Sequence, residues 1–232
     1  IPSGEAGQCP CCPGQEASTA PEILAVRDSG PPNGPGWRVR VVPNKYPLFA
    51  IEGELDRRAA GIYDRMRGVG AHELILETPS HGLKPSQTPL LQLAASLSAS
   101  RQRIADLMGD RRFKYALLYR NYGEAAGASV HHPHQQLVAM PVTPRRVATR
   151  LQCSREYFHV KERCLFCDVI DQEISDGSRI VWQDEEFVSF APYASRFPYE
   201  IHVYPRRHRY RFHDASQGEL EQLSSHLLDV FH

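Results

Sequence analysis

Five consecutive residues, His132-Pro133-His134-Gln135-Gln136, supply two imidazoles and an amide, groups able to bind a metal, attack phosphorus and hold an oxyanion. Side chains two apart on an extended strand point the same way. His132, His134 and Gln136 are therefore expected to share one face of a strand, with Pro133 stiffening the backbone between them. A small-residue loop, Gly127-Ala128-Ser129, precedes the stretch, and an apolar run from Leu137 to Val142 follows it. The plainer alternative is a half-buried edge strand whose histidines only hydrogen-bond.

Cysteine spacing is the second chemical signal. The six cysteines are Cys9, Cys11, Cys12, Cys153, Cys164 and Cys167, so two C-x-x-C pairs stand far apart in a 232-residue chain without a visible secretory signal. That usage favours metal over disulfides. Zinc sites commonly complete such a knuckle with two Cys or His ligands from distant loops. For Cys9 and Cys12 the best partners are His81 and His132, with Cys11 able to replace one ligand and His131 competing with His132. Four protein ligands leave no open position, so the metal would position the arm rather than act as a Lewis acid. For Cys164 and Cys167 the third ligand is expected to be His208, with a fourth beyond His232. The basic run Arg206 to Arg209 reads equally as a solvated turn or a phosphate contact.

Composition limits the alternatives. A content of 41% hydrophobic and 23% charged residues describes an ordinary globular protein. Zero formal net charge gives no long-range steering toward nucleic acid. Eleven histidines mildly favour metal or phosphate chemistry. No apolar run approaches the ~18 residues that span a bilayer, so no membrane partner and a cytoplasmic location are expected. The chain starts at Ile1, and a missing N-terminus is expected.

The elements that must position these groups follow from periodicity. Residues 1–36, rich in Gly and Pro, read as a metal knuckle and an irregular arm. Strands are expected at Trp37–Val42, Glu73–Glu77, Lys114–Asn121 and from His132 toward Pro141. Residues 52–70 read as an ordered loop or flap. Thr88 as N-cap and Pro89 at the first helical position open a long amphipathic helix over residues 89–108. Residues 143–163 read as an irregular basic connection with a short helix near Arg145–Leu151. Strands at Arg179–Trp182, Phe187–Ala191 and Ile201–Tyr204 precede a helix opened by the capping box Ser216-Gln217-Gly218-Glu219. The whole is α+β, with a weak internal duplication. Its domains are expected at 1–145 and 146–232, the second copy cut off at His232.

Cys9-Pro10-Cys11-Cys12-Pro13-Gly14, Asn44-Lys45-Tyr46-Pro47, Glu77-Thr78-Pro79-Ser80-His81 and Asn121 through Gln136 resemble the galactose-1-phosphate uridylyltransferase family, the transferase branch of the histidine-triad superfamily. The Cys164/Cys167 pair and Phe190-Ala191-Pro192-Tyr193-Ala194 are more similar to the related ADP-glucose phosphorylases. The resemblance implies two histidine-triad-like halves, antiparallel sheets with crossing helices, a homodimer and a ping-pong nucleotidyl transfer. It places His134 on the nucleophile and Gln136 on the amide that contacts the transferred phosphoryl group. Asn44, Asn121, Gly127, Ala128 and Ser129 fall in nucleotide- and phosphate-contacting segments. Cys9, Cys12, His81 and His132 fall on the structural zinc ligands, and Cys164, Cys167 and His208 on a second zinc site. The implied partners are a nucleotide sugar, with UMP the expected cargo, and a hexose 1-phosphate.

A neutral imidazole divides one transfer into two displacements. Gln136 would steady the phosphoryl oxygen without protonating the intermediate, whereas a third histidine there would favour hydrolysis. Three departures from the family pattern stand out: Val130-His131 replaces a frequent Asn-Pro, Cys11 a usual aromatic, and Gln135 a small residue. The competing readings are an ADP-glucose phosphorylase or adenylyltransferase, a histidine-triad nucleotide hydrolase, and a zinc-stapled nucleic-acid-binding module. The last is disfavoured by charge balance and by the absence of interleaved aromatic and basic residues.

Overall fold

A computed structural model of the protein describes residues 9–128 and 130–232. The chain folds as two compact units, Ile1–Thr143 and Pro144–His232, and the architecture is α+β.

The first unit is built on strands β1 (Leu24–Arg27), β2 (Trp37–Pro43), β5 (Ala71–Leu76), β6 (Tyr115–Tyr119) and β7 (His134–Met140), with a separate hairpin of β3 (Arg58–Ala60) and β4 (Tyr63–Arg65). The sheet order is β1-β2-β5-β7-β6, and every pairing is antiparallel. β7 is thus bonded along both edges. Val39, Val41, Ile75, Leu76, Leu137 and Ala139 are buried to completion at the sheet's centre. The arm read as irregular contributes β1, and the flap contains the β3–β4 hairpin.

Helix α1 (Leu90–Met108) covers one face of this sheet through Leu93, Leu97, Ile104 and Leu107. It begins at Leu90 with Pro89 as its N-cap residue. Thr88 does not cap it: its hydroxyl turns back to the Lys84 carbonyl at 3.2 Å. Arg103 of α1 grips Glu73 of β5 with two bonds of 2.7 and 2.8 Å. Gln135 of β7 meets Ser96 and Ser100 of the same helix. Because successive strand residues alternate faces, His134 and Gln136 point away from α1. Gly70, at the entry to β5, admits no side chain: a Cβ there would stand 2.4 Å from the Ala139 carbonyl oxygen.

The second unit holds α2 (Arg145–Lys161), α3 (Leu165–Asp176), β8 (Ile180–Gln183), β9 (Phe187–Phe190), β10 (His202–Pro205) and α4 (Gln217–Phe231). Its three strands pair antiparallel in the order β10-β9-β8. The basic stretch read as irregular with a short helix near Arg145–Leu151 does hold that helix, but it runs on to Lys161 as α2, none of whose residues is buried. The capping box at Ser216 and Glu219 is present in both directions. Asp184, His226 and Ser189 form a chain, with His226 Nδ1 at 2.5 Å from the carboxylate and Nε2 at 2.6 Å from the hydroxyl. The order imitates a hydrolytic triad, but Ser189 is wholly buried, so the chain fastens α4 to β9 and meets no substrate.

Candidate active site and metal clusters

The strand carrying the nucleophile candidate begins at His134, two residues later than the shared-face reading requires. Pro133 spends its carbonyl on the Glu77 N–H at 3.1 Å. His132 lies in the bend before the strand and turns its ring to the N-terminal cysteines. The two histidines therefore serve different neighbours.

His134 Nδ1 lies 2.8 Å from the His132 carbonyl oxygen. A carbonyl can only accept, so Nδ1 carries the proton and donates it. Nε2 is left with its lone pair, and it has no protein partner among the described residues. The ring opens on a cleft of about 210 Å3 whose lining includes Arg120, Asn121, Ala128, His131 and His132. Asn121 and Ala128 thus line the same cleft as His134. Gly127 adopts a left-handed φ of 77°, which reverses the loop at low cost for glycine alone. Ser129 lies outside the described residues.

Gln136, two residues on, has its Oε1 2.9 Å from both the Tyr119 hydroxyl and His72 Nε2. Asn44 is not in the cleft lining; its Nδ2 lies 3.0 Å from His72 Nε2, and its Oδ1 accepts the Tyr46 N–H at 2.9 Å. Burial pushes the Tyr119 phenol up, so it stays protonated. His72 and Tyr119 were not singled out by the sequence. The available signal was a polar residue at an inward strand position, which alternation alone marks as either core or site.

On the other side of β7 lies a buried polar layer. The Gln135 amide donates to Glu77 Oε1 at 2.7 Å and accepts from Ser100 at 3.0 Å. The second Glu77 oxygen stands 2.9 Å from Arg120 Nη1, an ion pair off the hydrogen-bond axis. Burial pushes the Glu77 carboxyl up, while Arg120, Gln135 and His134 pull it back down. Gln135 thus supplies the buried Glu77 carboxyl with a donor.

Cys9, Cys12, His81 and His132 bring one ligand atom each to within 4.8 Å of the others. Cys12 Sγ is 3.4 Å from His81 Nδ1 and 3.5 Å from His132 Nδ1. His132 Nε2–H donates to the Thr78 carbonyl at 2.8 Å, which leaves Nδ1 free to ligate, the usual outer support of a metal-bound imidazole. Desolvation lowers the His132 pKa to about 4, keeping the ring neutral. Desolvation and the neighbouring Cys9 push Cys12 up to about 11. Crowded thiols of this kind are what a divalent cation relieves, so the donor set fits a metal. Cys11 is buried against Trp37 and Leu76 outside the ligand group, and His131 is exposed.

In the second unit Cys164, Cys167 and His208 also gather, with Cys167 Sγ 3.2 Å from His208 Nδ1. Burial and the Cys164 thiol push Cys167 up. Three donors fit a metal that takes one more ligand.

No family model matches the chain. It is similar to the ADP-glucose phosphorylase of Arabidopsis thaliana, with 30% identity over 91% of this chain and 58% of that protein. It is also similar to the galactose-1-phosphate uridylyltransferase of Thermotoga maritima, with 29% identity over 78% of this chain and 57% of the relative. The chain thus spans less than three fifths of these two relatives. Among solved structures, a uridylyltransferase mutant superposes with a TM-score of 0.81 at 31% identity, over 95% of this chain and 67% of the other. An Arabidopsis ADP-glucose phosphorylase with bound ADP-glucose gives a TM-score of 0.82 at 29% identity, over 98% and 68%.

Proposed function

We propose that this chain, which belongs to the galactose-1-phosphate uridylyltransferase family, carries the nucleophile of a nucleotidyl transfer between a nucleotide sugar and a hexose 1-phosphate. The observation that supports it most is the ring state of His134: Nδ1–H is fixed on the His132 carbonyl, and Nε2 is unbonded over the cleft.

In the first half-reaction Nε2 attacks the α-phosphorus of the nucleotide sugar. A P–N bond forms, the P–O bond to the β-phosphate breaks, and hexose 1-phosphate leaves with that electron pair. The ring keeps its Nδ1 proton, so the nucleotidyl-histidine is cationic, and the His132 carbonyl stabilises that charge. In the second half-reaction a phosphate oxygen of another hexose 1-phosphate attacks the same phosphorus and expels the neutral imidazole. Gln136 offers its amide to the phosphoryl oxygen. We read the loop carrying Asn121, Gly127 and Ala128 as the phosphate and nucleotide contact, and carry over from the family resemblance the same role for Ser129 and Asn44.

UMP is the first reading for the cargo. AMP fits about equally, because one similar structure holds ADP-glucose; inorganic phosphate would then be the acceptor in a phosphorylase. We read the two units as two histidine-triad-like halves and carry over the family's homodimer, which light scattering tests.

Zinc is the metal the first cluster suits best, given two thiols and two imidazoles. Cys9, Cys12, His81 and His132 would hold it, and Cys164, Cys167 and His208 would hold a second. With four protein ligands the first ion supplies positioning alone.

Incubation with UDP-glucose or with ADP-glucose, read by intact mass, tests the reading. A nucleotidyl adduct that His134→Ala abolishes is expected. No adduct from either donor refutes it.

A further inference from the structure

We infer that His72 and Tyr119 are positioning residues that lock the Gln136 side chain with its oxygen turned inward and its NH2 turned toward the reacting phosphoryl group. This inference rests on the transfer reading above.

The lock starts from a group that cannot flip. The Leu48 backbone N–H donates to His72 Nδ1 at 3.2 Å. In the neutral ring Nδ1 is therefore the acceptor and Nε2 carries the proton. The atom 2.9 Å from Nε2 must accept, and it is Gln136 Oε1. Tyr119, directly across from Gln136 in the β6–β7 ladder, supplies a second donor to the same oxygen at 2.9 Å. Both lone pairs of the amide oxygen are then used. The two N–H groups of Gln136 have no protein partner among the described residues, and Gln136 shares the His134 face of β7. With the proton on His72 Nε2, the 3.0 Å contact to Asn44 Nδ2 brings two donors together.

The consequence is chemical. An unlocked glutamine can present either end, and its oxygen would repel a phosphoryl oxygen as strongly as its NH2 attracts one. A donor already aimed at the developing charge spends nothing on reorientation when the transition state forms. His72 belongs to β5 and Tyr119 to β6, so the two strands flanking β7 each contribute one donor to the lock.

The test is the rate at which His134 becomes nucleotidylated, read by rapid quench and intact mass, in Tyr119→Phe, His72→Leu and His72→Gln. Nucleotide-sugar affinity is measured for each in the His134→Ala background. Tyr119→Phe and His72→Leu are expected to slow labelling roughly 10- to 100-fold while affinity changes less than about threefold. His72→Gln, which keeps a donor, restores most of the rate. Nitrogen-15 correlations of the imidazoles report the His72 tautomer separately, and Nε2–H is expected. Wild-type labelling rates in Tyr119→Phe and His72→Leu overturn the inference, as does an Nδ1–H tautomer at His72. If the wild-type protein takes no label from either donor, the transfer reading fails instead, and the tautomer still decides which way Gln136 faces.

Discussion

Trp37→Phe should cost the first unit about 2–4 kcal/mol, and most of that cost should vanish when the metal cluster is emptied. The indole N–H donates to Glu16 Oε1 at 2.9 Å, and both residues are buried. A hydrogen bond to a charged acceptor is worth about 1.5–3 kcal/mol. The smaller ring leaves space among Cys9, Cys11, Cys12 and Leu76, adding about 1 kcal/mol. The other Glu16 oxygen keeps the Gly14 N–H at 2.9 Å, which stops the carboxylate from being wholly orphaned and favours the lower half of the range. At about 2–4 °C per kcal/mol for a domain near this size, Tm falls by about 5–15 °C. Trp37 shares one cluster with Cys9 and Cys12, the ligands proposed above, so losing the proposed ion would loosen the seat of the indole and the two perturbations overlap. Thermal and urea unfolding of wild type and variant, with and without a chelator, complete the cycle. Equal costs with and without chelator would refute the coupling. A cost below about 0.5 kcal/mol would refute the buried hydrogen bond as a stabilising contact.

Gln136→His replaces an amide, which donates a hydrogen bond without releasing a proton, by an imidazole that can give one up, and free nucleotide released without acceptor should rise relative to transfer; product chromatography with acceptor withheld checks it. Zinc should bind more tightly as pH rises across neutrality, because each ion bound displaces the proton of Cys12, whose thiol is pushed up to about 11; that proton alone contributes about tenfold per pH unit, and a chelator competition at three pH values measures the slope. In the second unit, Glu200 is held down to about 2, first by the Arg196 side chain and then by its backbone N–H. Its stabilisation is complete above the ordinary value of 4.5 and disappears as pH falls from there to about 2. Glu200→Gln should flatten the acid dependence of the urea midpoint within that window, and an unchanged slope would disprove the assignment.

Much of the site was readable because its groups are close in sequence. His132, His134 and Gln136 sit within five residues, and the C-x-x-C spacing named the metal clusters' first ligands. The shared face misled because Pro133 keeps His132 out of the ladder, and a bend turns one ring to the cysteines. Helix α2 is read only over its start, Arg145–Leu151, for a different reason: it buries no residue, so little apolar periodicity marks its continuation to Lys161. His72 and Tyr119 act on Gln136 from 64 and 17 residues away, a relation that exists only after strand register is set. Glu77 reads as part of a strand-end phrase, and its pairing with Gln135 and Arg120 follows only once the register of β5, β7 and β6 is known.

Strand β7 is bonded on both edges, to β5 and to β6, and this governs how the molecule can yield. The amides of His134–Met140 should exchange with solvent only through opening of the whole sheet, whereas residues 121–128, outside any strand ladder, exchange through small local openings. On the transfer reading proposed above, substrate would come to a rigid His134, and adaptation between one nucleotide and another would fall to the loop that meets it.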